Sequence, residues 1–75
     1  MKIGIEVRTI NKTSYYSDLL DMSGKTEEEI ATIISDIESI LDGVASDSGL
    51  TILMDGRRYA FPPSAIEYAT TYEAD

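Results

Sequence analysis

The chain has no cysteine, no histidine and no tryptophan, and from Lys25 to Arg57 no basic residue intervenes. Without cysteine there is no disulfide, no thiolate metal ligand and no thiol nucleophile, a usage that suits a reducing compartment. Without histidine the commonest general base and the commonest transition-metal ligand are also missing. No apolar run approaches the roughly 20 residues of a spanning helix, and Glu6 interrupts what would be the apolar region of a signal peptide. The expected setting is cytoplasmic, with no membrane partner.

What the chain does have is acid in one place. Its net charge is −8, and eight carboxylates lie in the stretch that lacks a base: Glu27, Glu28, Glu29, Asp36, Glu38, Asp42, Asp47 and Asp55. The other six acids balance the six bases, so the whole net charge sits there. A surface of one sign repels acids and attracts bases. Anionic membranes and phosphate backbones are disfavoured as targets, and a protein partner with a basic surface is favoured.

Seventy-five residues make a single domain, spanning 1–75, with little apolar surface to spare. Residues 2–10 alternate, with Ile3, Ile5 and Val7 on one side and Lys2, Glu6 and Arg8 on the other, as a half-buried strand requires. A turn at Asn11-Lys12-Thr13 leads to Ser14–Leu20, which reads either as a returning strand or, over Asp18–Met22, as a short helix. Thr26 with Glu29 three residues on forms a capping box. Ile30, Ile33, Ile34, Ile37, Ile40 and Leu41 then make one stripe at helical period. Gly43 suits the left-handed position after a helix, which predicts an end at Asp42. Beyond it, Asp55-Gly56 is a type I′ hairpin signature that sets Met54 opposite Arg57, Ile52 opposite Tyr59 and Leu50 opposite Phe61. Pro62-Pro63 breaks the pairing, and Ile66–Tyr72 reads as a last strand with Ile66, Tyr68, Thr70 and Tyr72 on one face.

Several motifs lose their chemical reading on inspection. Gly24-Lys25-Thr26 resembles the end of a phosphate-binding loop, but Leu19 stands where the first glycine must be, and Glu27–Glu29 crowd the helix end that would receive the anion. Ser46-Asp47-Ser48-Gly49 lacks the oxygen spacing of a calcium loop. Serines and threonines have no histidine or paired lysine to activate them. No catalytic residue, cofactor or metal ligand is assigned, and an enzyme is not expected.

Glu27–Glu29 stabilise a helix start by about 0.3–1 kcal/mol each and need no further reason. Asp36, Glu38 and Asp42 have no such benefit. Glu38 and Asp42 are a like-charged i,i+4 pair, costing about 0.2–0.5 kcal/mol. Tyr15, Tyr16, Tyr59, Tyr68 and Tyr72 are many for this length; they suit strands and core edges, and beside Arg57-Arg58 they also suit a contact patch or stacking on single-stranded nucleic acid. The two arginines are expected on opposite faces, with Arg58 the exposed one.

The expected fold is α+β, one antiparallel sheet of four or five strands with a single helix on one face, in the order ββαβββ. In size, acidity and lack of catalytic groups the chain resembles the small inhibitors that bacteriophages and mobile elements encode, a likeness of composition and not of motif. That likeness implies a non-enzymatic inhibitor or adaptor; the charge pattern points to Asp36, Glu38 and Asp42, with support from Asp47, as the face that meets a basic protein surface such as a nucleic-acid groove, and Arg58 is a further candidate contact residue. Two other readings stand beside it: a homodimeric or self-assembling module that pairs through a strand edge or the tyrosine face, and a weak single-strand binder.

Overall fold

The computed structural model describes residues 1–75 and contains one α-helix, one short 3-10 turn at Pro63–Ala65 and six strands. β1 (Lys2–Thr9) is central. On one side it pairs antiparallel with β2 (Ser14–Tyr16) and then β3 (Leu20–Asp21), and on the other with β6 (Ile66–Ala74). β2 and β3 are two halves of one interrupted strand, so the order ββαβββ holds, and the alternative helix over Asp18–Met22 does not form. The expected single sheet is divided: β4 (Leu50–Met54) and β5 (Arg57–Phe61) form a separate two-stranded hairpin.

Burial explains the division. Ile5 and Val7 of β1 pack with Leu50 and Ile52 of β4, and Ile37, Val44, Met54, Phe61, Ile66 and Ala69 close around them. The hairpin lies apolar side inward against the sheet instead of extending it. Edge-on pairing would leave both apolar sides to α1 (Glu27–Ala45), and no residue of that helix is buried. Ile34 and Ile40 are 37% and 36% exposed, and of the helix only Ile37 and Val44 pack on the core cluster.

The interruption of the second strand is a joint between the two sheets. Ser17 keeps its bonds to β1, its N–H donating to Ile5 O at 2.9 Å and its Oγ accepting from Ile5 N–H at 2.8 Å. Asp18 turns the other way. Its N–H donates to Leu53 O at 2.7 Å, and its two carboxylate oxygens accept from the N–H groups of Asp55 and Gly56 at 2.8 and 2.9 Å. Those two residues have φ of 52° and 75°, both left-handed as a type I′ turn requires. Removing this carboxylate with Asp18→Ala should cost about 1–2 kcal/mol in urea unfolding, since charged acceptors strengthen such bonds. Asp18→Asn, which keeps one acceptor oxygen, should cost less.

The helix begins as expected. Thr26 Oγ1 accepts from Glu29 N–H at 3.2 Å and Glu29 Oε1 accepts from Thr26 N–H at 3.0 Å. The helix ends three residues later than Gly43 implied. Val44 continues the apolar stripe onto the core, and that burial carries the helix through Gly43 to Ala45. The left-handed residue is Asp47, with φ 66°. Ser48 N–H donates to Gly43 O at 2.8 Å and Asp47 N–H to Val44 O at 3.2 Å, the paired bonds of a Schellman ending.

In β6 the register slips between Arg8 and Thr9, where Arg8 faces Tyr68 and Thr9 faces Ile66. Glu67 is the extra residue of this bulge. Ile66 therefore turns toward the core while Tyr68, Thr70 and Tyr72 stay on the outer face, correcting the expectation that all four share a side. Tyr15 and Tyr16 divide likewise. Tyr15 meets Phe61 inside at a centroid distance of 5.4 Å, and Tyr16 meets Tyr72 edge-on outside at 5.2 Å.

Candidate interaction surface

The fold positions the acids first through the helix. At 3.6 residues per turn, Glu38 and Asp42 are about 40° apart and share a flank, whereas Asp36 lies about 160° from Glu38. Asp36 belongs to the other flank, where Ile40 and Gly43 border the hairpin. Asp47 lies past the helix end in a shallow groove with Pro63 and Ile66. The four acids of the expected face are thus all exposed, but they are distributed over two flanks and a loop.

None of them is neutralised from within. The chain's ion pairs are Arg8 Nε to Glu67 at 3.5 Å and Lys12 Nζ to the same carboxylate. Lys12 beside it, with Arg8 further off, holds the Glu67 carboxyl below its ordinary value. Two bases are therefore committed to an acid outside the Glu27–Asp55 stretch, and no base comes within ion-pair distance of any acid inside it. Nor does the last helical turn carry a base, so Asp42 stands unrelieved at the negative end of the helix dipole.

Arg57 and Arg58 are both exposed, not Arg58 alone. The inward side of β5 overhangs the core, and of its five residues only Phe61 is even half buried. The arginines are also separated from most of the tyrosines. Tyr16, Tyr68 and Tyr72 lie on the outer side of the first sheet, Tyr15 is inside, and the hairpin stacks on the inner side. Only Tyr59 shares the hairpin with Arg57 and Arg58. A stacking platform of arginines among tyrosines is not assembled.

That outer side has an internal lock of its own. The Tyr72 hydroxyl donates to Ser17 O, and its ring lies over Gly4. Burial, with a smaller contribution from Asp18, pushes the Tyr72 phenol above its ordinary value. Tyr16 and Tyr68 remain 51% and 43% exposed, leaving ring surface open on either side.

The largest concavity, about 670 Å³ and open to solvent, lies between the helix and the hairpin. Its lining, including Ile40, Leu50, Phe61 and Pro62, contains no ionisable side chain, so it offers neither acid nor base to a substrate. No three acids converge as metal ligands would. No helix is long and apolar enough to cross a membrane. Comparison with protein-family models, with curated proteins and with solved structures returns no match.

The Glu38–Asp42 flank is thus a like-charged pair that neither a base nor the helix dipole relieves, unlike Glu27–Glu29 at the helix start. The i,i+4 spacing of Glu38 and Asp42 is visible in the sequence, and so is the separation of Asp36, two residues and thus about 160° from Glu38. What sequence reasoning missed was Asp18, whose role depends on a turn 37 residues away.

Proposed function

We propose that this chain is a non-enzymatic protein-interaction module that meets a basic protein surface through the Glu38–Asp42 flank of its helix, with Asp47 extending the contact beyond the helix end. The observation that carries the reading is that both carboxylates stand exposed on one flank with no cation of their own, and that Asp42 lies in the last turn, at the negative end of the helix. Their mutual repulsion costs about 0.2–0.5 kcal/mol and the dipole about 0.3–1 kcal/mol more. A partner's lysine or arginine relieves both at once. An inhibitor or adaptor of a nucleic-acid-handling protein fits this chemistry, since such proteins carry the complementary basic grooves.

Affinity capture from a lysate of the natural host, at low and high salt, tests it. Glu38→Lys with Asp42→Lys should lower recovery of the salt-sensitive partner at least about tenfold, the equivalent of about 1.4 kcal/mol. The same double substitution should raise fold stability slightly: the two lysines still repel one another, but Lys at 42 complements the dipole that Asp42 opposes, and the net charge falls from −8 to about −4. Loss of binding with gain of stability cannot come from unfolding. A control of equal charge change, Glu27→Lys with Asp75→Lys, should retain the partner. Equal loss in both doubles, or capture indifferent to salt, would sink the proposal.

A further inference from the structure

We propose that two copies of this chain pair through β6, antiparallel, about a two-fold axis at Thr71. β6 is an edge, hydrogen-bonded to β1 alone. The phase of its free groups follows from the other side of β1. Ile5 N–H donates to Ser17 Oγ and Ile5 O accepts from Ser17 N–H, so odd-numbered residues of β1 aim their N–H and C=O at the second strand and even-numbered ones at β6. Gly4 opposite Tyr72 and Glu6 opposite Thr70 are then the bonded pairs. Ala69, Thr71 and Glu73 consequently aim theirs outward, where no turn, loop or side chain takes them.

The molecule's remaining edges are guarded. β2 and β3 are broken at Ser17–Leu19, β4 has its Leu53 carbonyl occupied by Asp18, and β5 carries Arg57 and Arg58 side by side. β6 has no such defence between Tyr68 and Tyr72, a run of Tyr, Ala, Thr, Thr and Tyr without charge, glycine or proline. A foreign strand would meet the same open groups, but the strand is complementary to itself. With the axis at Thr71, Ala69 and Glu73 of opposite copies become bonded pairs, Thr70 lies beside Tyr72, and the two Thr71 side chains face one another. The paired stretch is Tyr68–Ala74, which stops short of the bulge at Glu67. Moving the axis to Thr70 would set Glu67 against Glu73 of the other copy, like charges directly opposed, so Thr71 is the favoured centre.

Salt separates this contact from the proposed partner surface. Two copies at −8 each repel, so added salt strengthens the pairing, whereas it weakens binding to a basic partner. Sedimentation equilibrium of the purified chain at 0.05 and 0.5 M sodium chloride should show a dimer favoured at the higher salt. Thr71→Pro removes an outward N–H at an edge position that tolerates proline, and Thr71→Lys opposes two cations at the axis. Each should weaken dimerisation at least tenfold, and the lysine variant reads the result if the proline variant fails to fold. Thr71→Cys, in a chain otherwise free of cysteine, should form an intermolecular disulfide on mild oxidation, because bonded residues sit about 5.5 Å apart at Cα. Glu27→Cys, on the helix, should not. A strictly monomeric chain in 0.5 M salt, which would leave the edge to a foreign strand, overturns the proposal. So does a dimer that salt dissociates, or one that both Thr71 variants leave intact.

Discussion

Ile52→Ala should lower stability by about 2–5 kcal/mol, read as a shift in the urea midpoint at constant slope. Ile52 is 4% exposed and packs with Ile5, Val7 and Leu50 where the hairpin meets the sheet. A chain of this length holds only about 4–11 kcal/mol in total, so one cavity here removes a large share of it. Only eight of its 75 residues are buried, and few neighbours are free to collapse into the space. By contrast Ile34→Ala and Ile40→Ala, on helix positions more than a third exposed, should cost about 1 kcal/mol or less. Equal losses in all three would place the core under the helix rather than under the hairpin.

That contrast marks where the sequence misleads. Six isoleucines and leucines at helical period look like the principal apolar face of the chain, yet none is buried, while the tightest packing joins two strands with only a few apolar residues each. Periodicity reports which residues share a side; it does not report what covers that side. The capping box and the hairpin register were legible because each is closed within a few residues, by a hydroxyl three positions from its amide and by a two-residue turn that leaves one alignment. The division into two sheets was not, because it depends on Asp18 reaching the turn at Asp55-Gly56 and on Tyr15 meeting Phe61. The acid surface was half legible. Its charge is written in the composition, and its freedom from internal ion pairs is a property of where Arg8 and Lys12 fold, beside Glu67.

Three glycine-to-alanine substitutions should change stability in two directions, and together they test the geometry at three separate places. Gly49→Ala should be the most damaging, at about 1–3 kcal/mol or more, because its Cβ would fall 2.3 Å from the carbonyl oxygen of Phe61. That atom is main chain and belongs to the strand pairing of Leu50 with Phe61, so relief requires the hairpin to open at its end. Gly4→Ala would place its Cβ 2.6 Å from the Tyr72 ring and 2.9 Å from Ser17 Oγ. Side chains can yield where a backbone cannot, so its cost should be smaller, and it should come with release of the Tyr72 hydroxyl from Ser17. Loss of that burial should bring the phenol back toward its ordinary value, visible in an ultraviolet titration. Gly43→Ala should instead stabilise, by about 0.5–1 kcal/mol, since the residue is helical and its Cβ would meet only Ser48 Cβ at 3.7 Å. If Gly43 were the left-handed residue after the helix, alanine there would destabilise by about 1 kcal/mol or more. The sign of that one measurement decides whether Asp47 or Gly43 ends the helix, and with it how far the negative end of α1 extends past Asp42.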